Sequence, residues 1–147
     1  MYSKYLIVAS KKDRAGINIT TQLSQFPRDN FNFYLVEDHA IFTENLDLEK
    51  INKYDLIIFA SRHRSEKGEK TLSVHAPGNW REARFGGEPE KVSRSSALFQ
   101  KQLFERLNEN VKEYRLNEKY QVTSECTHHG PLLDKPCVFI EIGSGPE

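Results

Sequence analysis

Cysteine is scarce in this 147-residue sequence, and the two present, Cys126 and Cys137, form no CxxC pair. That excludes a disulfide-stapled scaffold and the common zinc-finger and redox signatures. Both cysteines fall in stretches that read as strands, where reduced and mostly buried thiols are expected. Net charge is absent too, with 21 basic against 21 acidic residues, so no global field recruits nucleic acid or a membrane surface. No apolar run approaches the roughly 20 residues of a membrane helix. The stretch Met1–Val8 has too short an apolar run for a signal peptide and no small-residue cleavage site, so it reads as a first strand. A single domain over 1–147, in the cytoplasm and off the membrane, is expected, and either a monomer or a homodimer is compatible with it.

What is present is a fold-forming pattern interrupted once. Lys4–Ser10, Asn32–Glu37 and Tyr54–Ser61 are apolar β runs, and the third, apolar on both faces, suits a central parallel strand. Asp13 caps a helix in which Gly16, Ile19, Leu23 and Phe26 recur at helical spacing until Pro27. Leu46–Ile51 forms one short helical turn. Ser95–Leu116 is the clearest helix, with Phe99, Leu103, Leu107, Val111 and Tyr114 in one stripe. Tyr120–Thr127 and Cys137–Ile142 add two strands. The order β-α-β-(α)-β-loop-α-β-β argues for an α/β sandwich with a largely parallel sheet.

The interruption runs from Arg62 to Val92 and holds four of the eight glycines, two of the six prolines and the single tryptophan, Trp80. An irregular stretch of that length inside a compact domain is usually functional. From Arg62 to Arg94 there are eight basic against five acidic residues, so the segment is locally basic within a neutral chain.

Four of the five histidines lie in three polar, turn-rich segments: Ser61-Arg62-His63-Arg64-Ser65, His75-Ala76-Pro77-Gly78-Asn79 and Glu125-Cys126-Thr127-His128-His129-Gly130-Pro131. Neutral imidazole suits zinc, and a neighbouring carboxylate can be a ligand or a general base. His63, His75, His128, His129 and Glu125 are the available set, although their spacing matches neither HExxH nor a Cys₂His₂ finger. If Glu125–His129 stays extended, Glu125, Thr127 and His129 share one face and His128 takes the other. Ligands in parallel sheets collect beyond the carboxyl ends of strands, so these segments, with Gly143-Ser144, are expected to converge on one edge.

Other residues leave two readings open. Without metal, a histidine acts as general base, with amides near Gly78, Gly130 or Gly143 holding an oxyanion. A serine nucleophile at Ser61, Ser65, Ser73 or Ser144 has no elbow motif. Trp80 is a core plug or a stacking platform for a base. Gly86 and Gly87 make a turn or let a ligand approach the backbone. Glu141, among Val138, Phe139, Ile140 and Ile142, is paired or functional if buried, and otherwise faces solvent. His39, at a strand end, reads as a plain surface histidine.

Taken together, Ser61–Ser65, Thr71–Trp80, Phe85-Gly86-Gly87, Glu125–Pro131 and Glu141-Ile142-Gly143-Ser144 resemble the archaeal and plant type of D-aminoacyl-tRNA deacylase. Any one segment is weak alone, but five in order at compatible spacing are specific. The resemblance implies a three-layer α/β sandwich like the phosphorylase and peptidyl-tRNA hydrolase group. It implies a zinc-dependent esterase that frees a D-amino acid from the 3′ end of tRNA in translational quality control. Carried onto this sequence, it implies metal ligands among His63, His75, His128 and His129, with His128, His129, Glu125 and Glu141 as catalytic candidates. Substrate contacts are then expected from Arg62, Arg64, Lys67, Gly78, Asn79, Trp80, Arg81, Arg84, Gly86, Gly87, Gly130, Gly143 and Ser144. Family members continue past the Glu-Ile-Gly-Ser motif with a second segment that this sequence lacks. The alternatives are a partial or inactive RNA-binding module and another hydrolase or phosphorylase on this fold. A phosphorylase should pair a phosphate-gripping arginine with a Gly-rich loop, which Gly86-Gly87 with Arg81 or Arg84 matches poorly.

Overall fold

The structure, a computed structural model, describes residues 2–44, 46–64 and 67–143. Its strands are β1 (Tyr5–Ser10), β2 (Phe31–Val36), β3 (Leu56–His63), β4 (Thr71–His75), β5 (Gln121–Ser124) and β6 (Cys137–Gly143). Its helices are α1 (Arg14–Ser24), α2 (Leu48–Asn52) and α3 (Ala97–Glu113), with one 3-10 turn at Ala40–Phe42. The six strands form one sheet in the order β2-β1-β3-β6-β4-β5. Pairings are parallel except between β6 and β4, which run antiparallel.

Local chemistry sets the helix ends. The Asp13 carboxylate accepts from the Ala15 amide at 2.9 Å to start α1, and its other oxygen accepts from the Arg62 amide at 2.7 Å. Gly16 lets α1 press onto β3, because a Cβ there would lie 2.5 Å from the Ala60 carbonyl. Ser96 caps α3 through the Phe99 amide. The sheet buries a core on each face. One combines Ile7, Ile58, Ala60 and Val138 with Ile19 of α1 and Phe99 and Leu103 of α3. The other combines Leu6, Val8, Phe59 and Phe139 with Ala40, Leu46, Ile51 and Leu133, brought by the 3-10 turn, α2 and the chain before β6. The result is the expected α/β sandwich, with helices on both faces of a mostly parallel sheet.

Two expectations change. The stretch Arg62–Val92 is not irregular throughout, since Thr71–His75 forms β4. Its Thr71, Ser73 and His75 point to one face and are buried, so the strand lacks the apolar alternation that announces one. Because β4 reverses relative to β6, and β5 follows β4, their carboxyl ends lie at the edge opposite those of β3 and β6. The histidine segments therefore do not converge at one carboxyl edge. They meet across the sheet face, where Ser61, Glu141 and Ser73 stand in register on β3, β6 and β4.

Candidate active site

Glu141 sits mid-strand on β6 at 6% exposure, surrounded by the side chains that make its charge tolerable. Ser61 Oγ donates to Oε1 at 2.5 Å, Ser73 Oγ stands 3.5 Å from Oε2, and His63 Nδ1 lies 3.4 Å from Oε2. His75 Nε2 and His129 Nε2 approach the two oxygens at 3.8 and 3.9 Å. Burial alone would raise the pKa of this carboxyl. His63 and His75, and then Ser61, outweigh that effect and hold it well below the usual carboxylate range. The carboxylate reading of Glu141 as paired holds, and the solvent-facing one does not.

Three imidazoles pack beside it. The rings of His75, His128 and His129 have centroids 4.6 to 4.8 Å apart, and Phe139 stacks beneath His75 and meets His129 edge-on. His75 Nδ1 donates to the Ala76 carbonyl at 3.1 Å, His128 Nδ1 to Cys126 and His129 Nδ1 to Gly130, both at 2.7 Å. A carbonyl only accepts, so each Nδ1 carries the hydrogen and each Nε2 is the donor atom offered to a ligand. One ligand atom from each ring lies within 4.8 Å of the other two. Two of the rings are buried and His128 is exposed, which leaves one open side. The alternation of His128 against His129 was conditional on an extended Glu125–His129, and that condition is not met because β5 ends at Ser124.

Among the described residues the buried His75 Nε2 has no hydrogen-bond partner, since Glu141 at 3.8 Å is too distant. Burial disfavours its imidazolium, yet Glu141 raises the pKa above the ordinary histidine value. His129 is driven the other way, to about 4, by burial and then by repulsion from His75, and so stays neutral near pH 7. Three Nε2 atoms fixed by carbonyl-bound Nδ1 hydrogens, one of them orphaned, beside an ionised carboxylate, fit a divalent cation in the arrangement of three protein ligands and an open position.

His63 joins a different group. Its Nδ1 donates to Glu125 Oε1 at 3.0 Å as well as facing Glu141, and one ligand atom from each of His63, Glu125 and Glu141 lies within 4.8 Å of the others. Its pKa is raised, first by the Glu141 contact against burial and then by the Glu125 charge. Glu125 Oε2 in turn lies 3.9 Å from His128 Nε2, so Glu125 and Glu141 link the two groups.

The glycines and Asn79 frame this floor. Gly78 donates its amide to the His129 carbonyl at 2.5 Å, Gly130 donates to Phe85 at 2.9 Å, and Gly87 donates to the Glu44 carboxylate. These amides are engaged internally and are not oxyanion donors here. Asn79, buried, ties the loop by donating to the Gly86 and Glu88 carbonyls. Gly86 and Gly87 have φ of 75° and 77°, and a Cβ on Gly86 would lie 1.8 Å from the Ile41 carbonyl, so the turn reading holds. Ser61 and Ser73 hydroxyls serve Glu141, a role that their alternation opposite Glu141 could have signalled. Gly143 lies against the His63 backbone. Trp80 is 69% exposed and is no core plug, and Cys126 is exposed rather than buried. Arg62, Arg64, Lys67, Arg81 and Arg84 are exposed, with Arg84 paired to Glu82 at 2.6 Å. His39 is exposed and outside both groups. Ser65 and Ser144 lie outside the described residues.

Fold and site together define an α/β protein with a buried histidine and carboxylate centre able to hold a metal ion. The chain belongs to the D-aminoacyl-tRNA deacylase family, whose model matches residues 50–147. A D-aminoacyl-tRNA deacylase of Caldivirga maquilingensis is 36% identical over 94% of this chain and 55% of its own length. One of Archaeoglobus fulgidus is 36% identical over 97% of the chain and 56% of its own. A crystal structure of a conserved protein of unknown function superposes with a TM-score of 0.86 at 33% identity, covering 96% of this chain and 55% of that one. The chain thus spans about half the length of the curated relatives it matches. Among the described residues no helix is long and apolar enough to cross a membrane.

Proposed function

We propose that this chain hydrolyses the ester joining a D-amino acid to the 3′ end of tRNA, in the cytoplasm, with zinc held by His75, His128 and His129. The observation that carries the proposal is the convergence of three imidazoles with fixed Nδ1 hydrogens, two of them beside the buried Glu141 carboxylate and the third beside Glu125. Zinc supplies Lewis-acid polarisation of a carbonyl and acidification of water.

The chain's own residues do the rest. His128, the exposed ring, marks the side from which the ester enters. Glu125, less buried than Glu141, reaches both His128 and His63 and takes the proton from the attacking water. His63, with a raised pKa and a hydrogen bond to that carboxylate, donates a proton to the leaving ribose oxygen as the acyl C–O bond breaks, giving the free hydroxyl. Glu141 positions His63 and His75 from beneath, and Ser61 and Ser73 hold Glu141. Phe139 keeps water away from the buried side of the rings. Arg62, Arg64, Lys67, Arg81 and Arg84 hold tRNA phosphates.

Incubation of D-Tyr-tRNA and L-Tyr-tRNA with the chain, with zinc and with a chelator, tests this. Release of D-tyrosine only, abolished by chelation and restored by zinc, is expected. D-Tyr-tRNA that stays charged in the presence of zinc rejects the activity for this chain, and chelator-resistant turnover rejects the metal.

A further inference from the structure

Two large aromatic side chains project into solvent beside the histidine cluster, and nothing in the chemistry above uses them. Trp80 is 69% exposed and Phe85 is 58% exposed. Isolated exposed aromatics are ordinary, but these two are tied to the residues that bracket His128-His129. The Trp80 indole donates to Cys126 Sγ at 3.0 Å, and the Cys126 carbonyl accepts from His128 Nδ1. The Phe85 carbonyl accepts from the Gly130 amide at 2.9 Å, and the Gly130 carbonyl accepts from His129 Nδ1. The loop between them is braced at both ends, by Asn79 Nδ2 to the Gly86 carbonyl and by the Gly87 amide to Glu44. The indole is thus oriented by its N–H while the side chain as a whole stays largely exposed. Between the two rings the loop carries two exposed arginines, Arg81 and Arg84.

We infer that Trp80 and Phe85 form a stacking site for unpaired nucleobases of a single-stranded RNA end, placed so that the terminal ester reaches the His128-His129 side. The inference rests on the proposed function and names the substrate segment that the site grips. Bases offer π-faces whatever their identity, and exposed aromatics interleaved with basic residues match a single strand and its phosphates. A paired helix end hides those faces and gains nothing from the rings.

The chain has one tryptophan, so its intrinsic fluorescence reports Trp80 alone. The probe is an uncharged RNA minihelix ending in a single-stranded CCA, titrated against the same minihelix with a blunt end. Quenching by the overhang, and little by the blunt duplex, is expected. Phe85→Ala should weaken the overhang's binding as read by Trp80. Trp80→Ala, read by anisotropy of a labelled minihelix, should raise Kd about five- to hundredfold, with Trp80→Phe recovering most of the loss. Both side chains are exposed, so the variants should keep wild-type circular dichroism. Equal affinity for blunt and overhanging RNA, or unchanged binding by Trp80→Ala, overturns the inference. Uncharged RNA separates it from the catalytic proposal: hydrolysis without quenching sinks the stacking site alone, and quenching without hydrolysis sinks only the deacylase activity.

Discussion

Glu141 keeps its charge inside the sheet because Ser61, Ser73 and His63 reach it at 2.5 to 3.5 Å, with His75 and His129 just beyond. Removing that charge leaves His63 and His75 facing a neutral amide in a buried setting. Glu141→Gln is therefore expected to lose about 3 kcal/mol of stability in metal-free protein, measured by urea unfolding with a chelator present. A midpoint equal to wild type would show that the charge is structurally idle. His128 presents the opposite case. It is the exposed ring of the three, so His128→Ala should cost less than about 1 kcal/mol, yet strip the metal donor set of one member. Zinc content after dialysis should drop well below that of the wild type while the thermal midpoint of metal-free protein barely moves. Full zinc retention in His128→Ala would remove that ring from the ligand set. The sequence left the burial of Glu141 open, because an acidic residue among apolar neighbours on a strand can face either side. The histidine segments were expected to converge, but on one carboxyl edge; that they meet across the sheet face depends on the reversed β4 and on where β5 ends.

Between elements, one side chain clamps two parallel strands at their starts. Asp55, just ahead of β3, accepts from the Ser3 hydroxyl, the Ser3 amide and the Lys4 amide ahead of β1. The Ser3 hydroxyl and then these amides lower its pKa from the ordinary 3.8 to about 2. The folded value lies below the unfolded one, so the clamp is fully present above about pH 4 and is lost as pH falls towards about 2. Amide exchange at Ser3 and Lys4, corrected for intrinsic rates, should accelerate across that window, and Asp55→Asn should abolish the pH dependence. A flat profile in the wild type would show that the clamp contributes nothing. At this scale the sequence told apolar strands from polar ones well. β1, β3 and β6 announce themselves because both their faces pack against hydrophobic layers. β4 hid because its inward face is Thr71, Ser73 and His75, of which Ser73 and His75 face Glu141. Function erased the pattern by which strands are read. The reversal of β4 and β5 was invisible for a different reason: strand direction is fixed by long-range pairing with β6, which no local periodicity encodes.

The chain carries no net charge, so the tRNA affinity that the proposed function requires cannot come from net charge and would have to come from where the charges lie. Arg62 and Arg64 flank His63 on the exposed end of β3, and the Arg62 amide is fixed by Asp13 at the start of α1. Both arginines adjoin in sequence a residue that faces Glu125 and Glu141, so under the proposed function an RNA strand held by them would lie at the end of β3 that carries the site. Such a local contact has a definite thermodynamic signature. Each phosphate neutralised contributes a slope of about −0.9 in log K against log salt for a duplex and about −0.7 for a single strand. Arg62→Ala and Arg64→Ala should each lower the steepness for uncharged tRNA by close to one unit, and the double variant by about twice that, while the affinity loss is uniform across tRNA sequences. Arg106→Ala, on the solvent face of α3 and paired with Glu109, should leave the slope alone. A slope that falls equally for Arg106→Ala would mean that the chain meets tRNA through diffuse charge rather than through the end of β3.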